Sequence, residues 1–148
     1  MTSFNGAPSS PPAELDMDAL FDYKNERLIE RYMADFAADR ASAHRCFHGF
    51  KQFMAVCASN DGELVTSDPI DGVWHTFLLF TREYERFCTT FIGEYIHHEP
   101  FEKPNPSAYL ATRAHAERPF GPLDVALWPV NAKGHCSSGA CRGDRPSS

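Results

Sequence analysis

The chain has 148 residues, 43% of them hydrophobic and 13% aromatic, with 12 phenylalanines, which is enough apolar material for one globular domain with its own core and unlike a disordered chain. A formal net charge of −6 and a pI near 5.6 argue against nucleic acid as a partner, because phosphate binding needs a basic face. No run of about 18 apolar residues is present to span a membrane, so an unidentified protein partner is the open class.

Residues 1–14 are rich in Pro, Ser, Gly and Ala and are predicted to form a disordered leader. They contain neither a basic n-region nor an apolar h-region, so they do not read as a signal peptide. An odd number of cysteines, five, then fits a reducing, cytoplasmic setting with free or metal-bound thiols. Phe21, Leu28, Ile29, Tyr32, Met33 and Phe36 recur at spacings of three, four and seven between charged residues, predicting an amphipathic helix. A second stripe, Ala43, Cys46, Phe47, Phe50, Phe53, Met54 and Cys57, predicts another helix with Asp39 as its N-cap and places both cysteines in the core. SNDGE (59–63) is a turn, and ELVTS is a short extended piece.

Asp68-Pro69 reads as N-cap and first residue of a third helix. Gly93 ends the helical run that follows, and Pro100 blocks any extension. Asn105-Pro106 repeats the cap-then-proline signal and opens a helix through about Ala116, after which the chain is irregular from Pro119. The expected organisation is a disordered leader (1–14), one compact all-α domain of four to five helices (15–130) and a flexible tail (131–148) carrying Cys136 and Cys141.

The polar residues within the aromatic runs raise the question of function. His75 and Cys88 are 13 positions apart, which on one straight helix puts them about 140° apart in rotation and roughly 20 Å apart along the axis. Thr81, a poor helix-interior residue and a good N-cap, predicts a break that would fold Cys88 back toward His75. Asp71 lies four residues before His75 and shares its face, as a carboxylate that orients a metal-binding or catalytic imidazole does. The alternative is a first-turn acid favoured by the helix dipole beside a core histidine. His97 and His98 alternate in an extended segment, so at most one of them faces the corner, and His98 is favoured as the residue next to the Glu99-Pro100 stop. His75, Cys88 and His98 then offer two nitrogens and a sulfur to a zinc-like ion, with the fourth position open or filled by Asp71 or a tail cysteine. Two other readings stand beside this metal-binding, regulatory one. In the first, a cysteine-dependent enzyme uses Cys88 as thiolate and His75 as base. In the second, the histidines and cysteines of a metal-free interaction domain are merely packed.

PIDGVWHTFLLFTREYERFC followed by GEYIHHEP resembles the glycine-rich domain-containing protein family, through Asp71, Trp74, His75, Leu79, Tyr84 and Cys88. Downstream, Tyr109, Thr112, Phe120-Gly121 and Trp128-Pro129 correspond to small bacterial members, and HCSSGAC looks like a shortened form of their Gly/Cys-rich tail. The second histidine of the family's WH-x-H pattern is Phe77 here. The resemblance implies a helical fold and a residue cluster, with no reaction attached.

Overall fold

The seven-residue stripe from Ala43 to Cys57 becomes the central helix, and every one of its seven members is buried. The computed structural model describes residues 15–99, 105–130 and 140–143. In chain order these form α1 (Met17–Asp22), α2 (Glu26–Phe36), α3 (Arg40–Ser59), β1 (Leu64–Val65), α4 (Asp68–Leu78), α5 (Thr81–Phe87), a π-helical turn (Cys88–Ile92), β2 (Ile96–Glu99), α6 (Pro106–Phe120) and β3 (Ala140–Gly143). The protein is mostly helical, as expected. Helix α3 packs against α1, α2, α4 and α6, and the core sits around it. At its heart Phe50, Phe53, Trp74, Phe77 and Phe87 meet at ring separations of 5.3–6.5 Å, the offset and edge-on spacings that aromatic quadrupoles prefer.

Two helix starts follow the expected chemistry. Asp39 accepts from the Ser42 amide to cap α3, and Asn105 accepts from the Ala108 amide to cap α6, whose second residue in the pair, Pro106, needs no donor. Helix α6 continues to Phe120, four residues beyond the expected end. The third cap lies one residue earlier than expected. Ser67, not Asp68, is the N-cap of α4, which moves Asp68 and Pro69 into the first turn. The first stripe is two helices rather than one, because Asn25 accepts from the Leu28 amide and starts α2 afresh.

The break between α4 and α5 is present, with a different cause from the one expected. The amides of Leu79 and Phe80 bond the carbonyls of Thr76 and Phe77 in a tight closing turn, and Phe80, without a side-chain cap bond, is the N-cap of α5. Thr81 is therefore the first helical residue and caps nothing. Glu83 anchors the corner instead, accepting from Asn25 Nδ2 at 2.9 Å and from Arg27 at 2.6 Å. Gly93 ends the π-turn with φ of 94°, a conformation that favours glycine.

The leader expected over residues 1–14 lies outside the described residues, as does most of the tail expected over 131–148. Within that tail Ala140–Gly143 form β3, which pairs antiparallel with both other strands to give the order β1-β3-β2. The register sets Leu64 against Cys141 on one side and His98 against Cys141 on the other. Among the described residues no helix is long and apolar enough to cross a membrane.

Lys51 is a buried cation on α3. Its ammonium donates to the carbonyls of Phe21 and Tyr23 at the end of α1 and lies 4.5 Å over the Phe47 ring. Burial, with Lys24 nearby, pushes its pKa down to about 8 from the ordinary 10.5, and Asp22 opposes the shift. The unfolded chain therefore holds the Lys51 proton to higher pH than the folded chain does, so this residue makes stability rise with pH above about 8. Tyr23, Tyr32 and Tyr84 act in the opposite sense above pH 10, because burial raises each of them above the ordinary tyrosine value. Urea titrations between pH 8 and 10 are expected to show stability rising in the wild type relative to Lys51→Met. Parallel curves for the two proteins across that window would contradict this assignment.

Candidate metal centre

Helix α4 presents Asp71 and His75 one turn apart, and β2 brings His98 to the same place from 27 positions down the chain. The carboxylate of Asp71 lies between the two imidazoles. Oδ2 is 3.1 Å from Nε2 of His75, and Oδ1 is 2.7 Å from Nε2 of His98. One donor atom from each of the three residues falls within 4.8 Å of the others. The side chains of Asp71 and His98 are only 5% and 7% exposed, whereas that of His75 is 53% exposed, so the cluster has a dry floor and one solvent-facing wall.

Packing holds this geometry in place. The His98 ring sits edge-on to Trp74 at 4.4 Å and tilted against His75 at 4.5 Å. Trp74 Nε1 donates to the Tyr84 hydroxyl, which in turn donates to the Ile96 carbonyl, two residues before His98. That chain ties β2 to α4 and α5 and fixes the depth at which His98 enters. Thr66, at the end of β1, reaches Asp71 Oδ1 at 3.5 Å. Thr66 was not anticipated. Its only signal in the sequence is its place beside the Ser67 cap.

Of the four residues expected to form the site, Asp71, His75 and His98 come together and Cys88 does not join them. Cys88 opens the π-turn, fully buried, within hydrogen-bonding reach of the Tyr84 hydroxyl. The corner before α5 does turn the chain, but Tyr84, Phe87 and Cys88 are spaced as one apolar stripe, and that stripe faces the core. His97, on the alternate side of β2, is exposed. Cys46 and Cys57 are buried core residues as expected, the former accepting from the Tyr32 hydroxyl.

Residues 18–112, which include the whole Asp71–His75–His98 cluster, match the family model described as UCP032817-like. The chain belongs to the UCP032817-like family. This match replaces the resemblance to glycine-rich domain-containing proteins, for which there is no support. Phe77 is a core ring, fully buried between Phe50, Tyr84 and Phe87. No curated protein matches the chain, and no solved structure does. The UCP032817-like family is uncharacterised, so membership brings no reaction with it. The donor geometry carries the functional argument.

Proposed function

We propose that the protein is a metal-binding module that holds one zinc-like divalent ion between Asp71, His75 and His98. The observation that carries this reading is a buried carboxylate whose two oxygens each meet an imidazole nitrogen, with all three donors inside 4.8 Å. Bonds of about 2.0–2.2 Å to a common ion put nitrogen and oxygen donors roughly 3–4 Å apart, so small shifts convert the present contacts into a ligand set. Two nitrogens and one oxygen suit a borderline ion and leave a fourth tetrahedral position open. The exposed wall at His75 gives the ion an entry path.

A second reading rests on the same distances. Contacts of 2.7 and 3.1 Å are also good hydrogen bonds, so the carboxylate could serve as a metal-free latch between α4 and β2. The cysteine-enzyme reading finds no support in the buried position of Cys88 against Tyr84. Cys46, Cys57 and Cys88 are buried thiols outside any disulfide, which suits a reducing compartment, and we assign the protein to the cytoplasm on that basis.

Metal analysis and zinc titration of protein purified without a histidine tag separate the two main readings. One equivalent of zinc, bound at the site and released by a chelator, is the expected result. Protein that neither carries nor takes up zinc, cobalt or iron is the latch alone.

A further inference from the structure

Lys51 is buried without a counter-charge. The residue is 6% exposed, and its ammonium donates to the carbonyls of Phe21 and Tyr23, which carry no net charge. No carboxylate among the described residues comes within ion-pair reach of it, and Asp22 favours its charge only from farther away. Lysines are almost never fully buried unless paired, because an ionised amine loses more solvation than neutral acceptors return. The unbalanced charge is felt next door, where burial and then Lys51 hold His48 below the ordinary histidine value. An ammonium has three hydrogens, so one remains after the two carbonyls are served.

The ammonium lines a cavity of about 410 Å³, within the size range of small-molecule sites. Its walls are aromatic. The Phe47 ring lies 4.5 Å from the ammonium and 6.1 Å from the Tyr23 ring, and Phe21 meets the His48 ring at 5.0 Å. Glu26 lines the cavity too, but its carboxylate accepts from Arg40 at 2.9 Å.

We propose that this cavity binds a small aromatic monocarboxylate, whose carboxylate accepts from the Lys51 ammonium while its ring lies against Phe21, Tyr23 and Phe47. One spare hydrogen and one unbalanced positive charge match a singly charged head. A phosphate would bring a second negative charge toward Glu26 and Asp22, and an amine would meet a like charge. The aromatic walls favour a flat ring, packed edge-on or offset. The cavity shares no residue with the Asp71, His75 and His98 cluster, so this second site stands or falls independently of the metal reading.

Amide NMR titration of the full-length wild-type protein with 2-naphthoate tests the inference, with 2-naphthalenemethanol as an uncharged probe of nearly the same shape. The acid should saturate one site, with shifts concentrated at Phe21, Tyr23, Phe47 and Lys51. It should bind about tenfold or more tightly than the alcohol, the effect of one charged hydrogen bond. Lys51→Met keeps the length of the side chain and should lose this preference, whereas Lys24→Ala should retain it. The comparison of acid with alcohol is made on the wild type, so a variant that fails to fold does not blunt the test. Equal affinity for the two probes, or no binding of 2-naphthoate, overturns the proposal. A preference that survives in Lys51→Met and disappears in Lys24→Ala overturns it as well, by moving the carboxylate to the exposed lysine. Shifts centred on His75 and His98 would place the carboxylate at the metal cluster and likewise sink it.

Discussion

Trp74→Ala is expected to destabilise the fold by about 3–5 kcal/mol, the cost of emptying a large aromatic site in a core that relaxes only partly. The indole is fully buried and packs against Phe50, Phe53 and His98. Its Nε1–H is also the donor that positions the Tyr84 hydroxyl beneath Ile96. Trp74→Phe keeps most of the volume and loses the donor, so it should cost only about 1–2 kcal/mol, the range for one buried hydrogen bond with slight underpacking. Guanidinium unfolding of both variants checks this. A loss below about 1 kcal/mol for the alanine variant would mean that the site collapses freely and that the tryptophan is not a keystone of the core.

Asp71→Ala is expected to abolish zinc binding at the proposed site, a larger loss than the roughly 10–100-fold typical when a residue that only supports a ligand is changed, since it removes a proposed ligand and the group that lies between both imidazoles. The same substitution should weaken the metal-free protein by about 1–3 kcal/mol, because His98 is left without its buried acceptor. The two effects separate in thermal melts with and without zinc. A ligand bound only to the folded state raises the melting temperature, so zinc should raise that of the wild type and leave that of Asp71→Ala unchanged. Equal zinc-induced shifts in both proteins would place the ion elsewhere.

Much of this arrangement was legible in the sequence because it is local. The α3 stripe, the Asp39 and Asn105 caps, the Gly93 stop and the i,i+4 pair of Asp71 and His75 are all read within a turn or two of helix. Strand alternation separated His97 from His98, and His98 was favoured for its place beside the Glu99-Pro100 stop. Where longer-range contacts decide, local signals failed. The apolar period runs through Tyr23 and Asn25 without a pause, so the split between α1 and α2 was hidden. The corner at Phe80 is held by Glu83 reaching 58 and 56 positions back to Asn25 and Arg27, which no cap rule foresees. Cys88 was misread because its aromatic neighbours suggested a site, whereas its spacing from Tyr84 and Phe87 is that of a core stripe. The pairing of His98 with Cys141 joins segments 43 positions apart, and the Gly/Ser surroundings of Cys141 offer no alternating pattern to announce a strand.

The segment after α6 is irregular, yet side chains grip its backbone from several directions. Ser67 donates to the carbonyl of Leu127, Arg113 to that of Trp128 and Tyr109 to that of Pro129, while Gln52 receives the Trp128 indole. Carbonyls are common to all twenty residues. The information that holds this stretch is therefore written mainly in α3, α4 and α6, not in the stretch itself. Substitutions at Pro129 or Val130 leave those grips intact, whereas loss of the Arg113 guanidinium frees a carbonyl that no local change can recapture. The path of this segment is thus inherited from the helices around it, and its own spelling is free to drift while its course stays the same.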